Sequence, residues 1–149
     1  MRVITGIARG LSLKTLEGND VRPTAEKIKE AMFSIVQFDL EDAVVLDLFA
    51  GTGQLGIEAL SRGAESATFV DCRRDAVKLV GENLKLCEMT EDAKVVCGDS
   101  LSFLATTREK FDIVFLDPPY AMHDMVPVME ALRPLLAEDA VILLEHEAK

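Results

Sequence analysis

Four groups of residues in this sequence could do chemistry, and each closes an apolar run. The first is Asp47-Leu48-Phe49-Ala50-Gly51-Thr52-Gly53, with Gln54-Leu55-Gly56 behind it. Glycines there let the backbone turn tightly and approach a ligand where a Cβ would clash. The helix starting at Gln54 would then aim free N–H groups at the ligand. Asp71, Asp99 and Asp117-Pro118-Pro119-Tyr120 close the next three runs. In the last, the prolines fix the backbone and remove two N–H donors, so the turn presents mostly acceptors. The Asp117 carboxylate and the Pro118 carbonyl can together accept both hydrogens of an exocyclic amine. Tyr120 can stack on the ring that bears it. Each group also has a plainer reading: Asp47 as a helix-capping or turn acid, Asp71 and Asp99 as ordinary strand-end carboxylates, Asp-Pro-Pro-Tyr as a stiff turn. His123 and His146 read as surface or structural groups.

The elements that must position these residues alternate. Apolar runs predict strands at Ala43–Phe49, Ser66–Asp71, Ala93–Cys97, Phe111–Leu116 and Ala140–Glu145. Helical periodicity predicts helices at Gln54–Arg62, Arg74–Cys87, Ser100–Thr107 and Asp124–Leu136, with Asp124 as a cap. That order specifies an α/β fold, a doubly wound, mostly parallel sheet covered on both faces. Ligands then bind at the carboxyl ends of the strands near the switch point, where all four groups converge. Ahead of this core, at 41–149, residues 1–40 read as an N-terminal extension of the same domain. It begins with a short β-hairpin turning near Gly10. A helix follows from about Ala25 to about Gln37, capped by Thr24, with Ala25, Ile28, Met32, Ile35 and Val36 inward and Lys27 and Lys29 standing off that face.

The chain has 149 residues, 49% of them hydrophobic, which suits one domain with a real core and excludes disorder. No apolar run is long enough for a membrane span and Met1-Arg2-Val3-Ile4-Thr5 is no signal peptide, so a soluble cytoplasmic protein is expected. Cys72, Cys87 and Cys97 lack disulfide or zinc spacing and read as buried free thiols, and no metal is expected. The net charge of -10 weighs against a broad nucleic-acid surface. Yet six of the sixteen Lys and Arg residues lie in the first thirty positions: Arg2, Arg9, Lys14, Arg22, Lys27 and Lys29. A basic arm on an acidic body and a merely solvated surface both fit.

Gly51-Thr52-Gly53-Gln54-Leu55-Gly56 also matches the dinucleotide pattern, and Asp71 lies near the offset of a ribose-binding acid. Two features weigh against a dinucleotide. A carboxylate at Asp47 suits a cationic ligand better than a pyrophosphate. Hydride transfer has no need of Asp117-Pro118-Pro119-Tyr120.

With both groups in place, the chain resembles a class I S-adenosylmethionine-dependent methyltransferase acting on an amino nitrogen. The likeness extends to Met1-Arg2-Val3-Ile4-Thr5-Gly6, Arg9-Gly10, Arg22-Pro23-Thr24, Ala31-Met32-Phe33, Gly56-Ile57-Glu58-Ala59-Leu60-Ser61-Arg62-Gly63-Ala64 and Leu144-Glu145-His146, and so resembles the RsmD family over essentially its whole length. Those enzymes methylate the N2 amine of a guanine in bacterial 16S ribosomal RNA. The resemblance implies S-adenosylmethionine as cofactor and 16S RNA or the small ribosomal subunit as partner. It implies that Phe49, Ala50, Gly51, Thr52 and Gly53 hold the methionine part, with Asp47 near its ammonium. It implies Asp71 on the ribose, Cys72 lining the adenosine site, and Asp99 on the adenine amine with Ser100 and Leu101 alongside. Asp117, Pro118, Pro119 and Tyr120 would hold the target base. Arg22, Pro23 and Thr24 would border the pocket, and Arg9 and Lys27 belong to the basic region that touches RNA. An amino-group methyltransferase for DNA or a small molecule, and a non-catalytic relative that keeps the cofactor, are the alternatives. The class ordinarily carries an antiparallel strand pair after strand five. None is found here: either the chain is a piece of a longer one, or its strand-five edge is left open.

Overall fold

A computed structural model describes residues 2–15, 23–118 and 124–145, with backbone alone for 23–25. Its centre is a five-stranded, all-parallel sheet in the order β3-β2-β1-β4-β5. The strands are β1 (Val44–Leu48), β2 (Ser66–Asp71), β3 (Ala93–Cys97), β4 (Phe111–Leu116) and β5 (Leu136–Leu144). β1, β2 and β4 are mostly apolar on both faces because both faces are covered.

Helices α1 (Pro23–Val36), α2 (Gln54–Ser61) and α3 (Arg74–Leu86) cover one face, and α4 (Ser100–Thr106) and α5 (Val126–Leu132) the other. On the first face Phe33 packs its ring 5.2 Å from that of Phe115. Val80 and Leu84 join it from α3, and Leu55 and Ile57 from α2. On the second, Leu104, Val128 and Leu132 close over Leu46, Val114 and Leu116. Strand order reverses between β1 and β4, so the cleft opens at the carboxyl ends of that pair.

Several expectations need correction. Among the described residues the N-terminal hairpin reduces to a single antiparallel bridge, Arg2 to Ser12, because Val3, Ala8 and Leu13 are spent on the core rather than on a ladder. Helix α1 starts at Pro23, so Thr24 lies inside it; proline at the first helical position loses no bond. The α1 face is also rotated. Lys29, Met32, Phe33 and Val36 point inward, while Ile28 and Ile35 are exposed. Helix α5 is shorter, ending in a 3-10 turn at Arg133–Leu135, and β5 begins at Leu136. Asp124 sits one residue before the cap, Met125, and its Oδ1 accepts from Val126 N–H. Cys87 is buried, but Cys72 and Cys97 are exposed.

Candidate functional site

The glycine loop is held from below by acids. Asp47, 1% exposed at the end of β1, accepts from Gly56 N–H at 3.0 Å through Oδ2. It thereby caps α2, whose first residue follows a glycine that has no side chain to do so. Gly51 and Gly53 take φ of +58° and +82°, which glycine adopts without strain. Phe49 takes +67° on a residue with a Cβ, a strained conformation held by its surroundings and placed where the loop begins. Gly56 lets α2 lie against β2, since a Cβ there would meet the Phe69 ring at 2.3 Å. Ala50 is buried and Thr52 half-buried within the loop.

Asp71 reaches across from β2. Its Oδ2 accepts from Gly51 N–H at 2.9 Å and its Oδ1 from Arg73 N–H at 2.9 Å. The Gly51 donor that a pyrophosphate would need is therefore already engaged by a carboxylate. Asp99 caps α4 by accepting from Ser102 N–H at 3.1 Å. Ser100 is buried, and Leu101 and Cys72 are exposed. Asp117 and Pro118 follow β4 across the switch point from the glycine loop.

Electrostatics bind the group together. Burial pushes the Asp47 carboxyl up to about 8 against the pull of Gly56 N–H, and the Asp117 and Asp71 carboxylates push it further. Asp117 as a residue is open to the cleft, but its carboxyl is partly desolvated. That desolvation and the hydrogen-bonded Glu145 carboxylate beside it push Asp117 up to about 7. A site whose acids raise one another's proton affinity disfavours a further anion, and a cation entering it would favour the ionised form of Asp47.

Arg22, Pro119, Tyr120, His123 and His146 lie outside the described residues. Pro23 and Thr24 open α1, and Arg9 and Lys27 are exposed. Lys29 is not: it is 1% exposed and pairs at 3.0 Å with Glu58, itself 0% exposed. Glu58 also accepts from Ile4 N–H at 2.8 Å, Thr5 N–H at 3.0 Å and Arg62 Nε at 2.8 Å. Burial opposes its charge, but Lys29, Ile4 N–H and Arg62 outweigh that and hold the carboxyl below its ordinary range. Burial lowers the Lys29 ammonium against the pull of Glu58. This cluster seats the arm on α2. The sequence reading assigned no role to Glu58, Asn83 or Glu145. Lys29, Glu58 and Asn83 share one signal: each is a polar residue lodged within an apolar helical stripe.

A family model described as "conserved hypothetical protein 95" matches residues 1–149. The chain belongs to that family. YlbH of Bacillus subtilis is 42% identical over 152 residues, covering 99% of this chain and 83% of YlbH. The Haemophilus influenzae "ribosomal RNA small subunit methyltransferase D" is 35% identical over 147 residues, covering 97% and 70%. The solved structure of Escherichia coli yhhF superimposes with a TM-score of 0.85 at 35% identity, covering 95% of this chain and 79% of yhhF. The resemblance to the RsmD family, drawn from motifs alone, agrees with these relatives. Among the described residues no helix is long and apolar enough to cross a membrane.

Proposed function

We propose that this protein transfers a methyl group from S-adenosylmethionine to the exocyclic N2 amine of a guanine in small-subunit (16S) ribosomal RNA. The observation that carries the reading is the acid-ringed glycine loop facing the Asp117-Pro118 acceptors across the switch point. S-adenosylmethionine suits the residues present. Gln54 Oε1, at the head of α2, is a buried acceptor with no hydrogen-bond partner among the described residues, and Asp47 lies beneath the same loop. Both call for a cationic donor such as the ligand's ammonium. Asp71 has lone pairs left for ribose hydroxyls and Asp99 one oxygen left for the adenine amine. Exposed Arg9 and Lys27 supply phosphate contacts, and Arg22, Pro23 and Thr24 join them as substrate-binding residues in this reading.

The sulfonium supplies an electrophilic methyl group. This chain's residues supply position and a proton acceptor. A guanine N2 lone pair is delocalised into its ring. Hydrogen bonds from the amine to Asp117 and the Pro118 carbonyl favour a more tetrahedral, more nucleophilic nitrogen, with Tyr120 stacking on the base. As the N–C bond forms, the nitrogen must shed one proton. A carboxyl pushed up to about 7 and hydrogen-bonded to Glu145 is matched to take it and pass it to solvent. The target base must leave its stack to reach Asp117.

Calorimetric titration with S-adenosylhomocysteine, with NAD as control, tests the cofactor reading. Binding of the first alone is expected. Binding of NAD instead would return the glycine loop to a dinucleotide enzyme.

A further inference from the structure

Asn83 on α3 is 0% exposed, and its amide holds two separate pieces of chain. Its Oδ1 accepts from Lys14 N–H at 2.7 Å, and its Nδ2 donates to the Lys14 carbonyl at 3.0 Å. The same Nδ2 donates to the Thr52 carbonyl at 3.0 Å, between the two glycines of the loop. The orientation of the amide is settled by its neighbours, since two carbonyls demand the NH2 and an N–H demands the oxygen. One rigid group therefore ties the backbone of the arm to the backbone of the cofactor loop. No other side chain substitutes easily. Aspartate would set a carboxylate against two carbonyls, and leucine would leave three part-buried backbone groups without this partner. The rest of the arm is fixed independently through Glu58 and Ser61 on α2, so the Asn83 bridge governs its far end, next to Lys14.

We propose that Asn83 is a positioning residue coupling the two: a filled cofactor loop fixes the Thr52 carbonyl, which fixes the amide, which seats the RNA-facing arm at Lys14. Coupling of this kind is reciprocal, so RNA on the arm tightens the hold on cofactor. The inference rests on the methyltransferase reading.

Amide hydrogen exchange with and without S-adenosylhomocysteine separates the two. In the unmodified protein the ligand should slow exchange in the loop at 50–56 and also at 11–15, the latter about tenfold, within the usual range of such couplings. Asn83→Asp should keep protection of the loop and lose it in the arm. Because Asn83 is buried, Lys14→Pro provides a second variant in the arm itself, removing the N–H that Asn83 accepts. Lys14→Ala, which keeps that N–H and removes only the ammonium, should retain arm protection. In transfer assays Asn83→Asp should raise the RNA KM about tenfold with kcat within about twofold, the size of a typical lost coupling. Protection of the loop without the arm in the unmodified protein, or arm protection that survives both Asn83→Asp and Lys14→Pro, overturns the coupling and leaves the methyltransferase reading standing. Protection in neither place fails both.

Discussion

Partial burial, and the Glu145 carboxylate beside it, raise the Asp117 carboxyl, and that sets when the amine can be received. Only ionised Asp117 can both accept an amine hydrogen beside the Pro118 carbonyl and take the proton the nitrogen sheds. A carboxyl raised to about 7 is protonated below that pH and ionised above it, so kcat/KM for RNA should climb as pH rises through about 7. Glu145→Gln removes the charge that helps push Asp117 up, and the rising limb should move to lower pH. A limb that stays in place would dissociate Glu145 from Asp117. Asp47 gives a second test of the acidic loop. The folded protein keeps its proton to about 8, whereas the unfolded chain releases it near 3.8. The folded state thus binds more protons between those values, and stability should fall as pH rises across that window, by up to about 1.4 kcal/mol per pH unit. Asp47→Asn should flatten that slope, raise Tm near pH 8 and weaken S-adenosylhomocysteine binding. Denaturant titrations at several pH values, beside calorimetry, would check both halves.

Among the elements, the arm is the one whose attachment can be cut cleanly. Gly6 has a φ of +94°, and a Cβ there would lie 1.8 Å from the Ser61 carbonyl oxygen. Ile7 N–H donates to that same carbonyl at 2.9 Å, and Ala8 N–H donates to Ser61 Oγ at 3.0 Å. Gly6→Ala should lift the arm from α2 and raise the RNA KM at least tenfold, while S-adenosylhomocysteine affinity changes less, because the sheet and glycine loop keep their own supports. Equal losses in both would show that the arm serves the fold and not the substrate. The element order, all five strands and the cleft were legible in the sequence because buried parallel strands are continuous apolar runs punctuated by glycine and aspartate. The face of α1 was not. Ile28 and Ile35 extend an apolar stripe that looks complete by itself, and what turns the helix toward Lys29 is Glu58, on a different element. That Asp47, Asp71, Asp99 and Asp117 stand at or just past strand ends was legible. Glu145 stayed silent because its effect depends on β5 pairing beside β4, which places it against Asp117. Asn83 stayed silent because its three partners come from two segments distant in sequence.

For the molecule as a whole, charge constrains how RNA can approach. The net charge is -10, and Lys29 is withdrawn from the basic region by Glu58. Acids also ring the glycine loop. In the N-terminal extension, exposed Arg9 and Lys27 remain to meet RNA phosphates. Binding should depend on salt with a shallow slope, and Arg9→Ala should reduce that slope by about 0.7 for a single-stranded target, the loss of one phosphate contact. A steep slope unaffected by Arg9→Ala would place the RNA on another surface. The central claim, that one fold brings a cation-seeking loop and an amine-accepting turn to one guanine, is tested most directly by product analysis. The protein would be incubated with methyl-labelled S-adenosylmethionine and unmethylated 16S ribosomal RNA, free and assembled into small subunits, and the RNA digested to nucleosides. Label in N2-methylguanosine, lost at least a hundredfold in Asp117→Ala that still binds S-adenosylhomocysteine, is the predicted result, on the scale of a removed catalytic hydrogen-bonding group. Label in any other nucleoside, or transfer that survives Asp117→Ala, would contradict it.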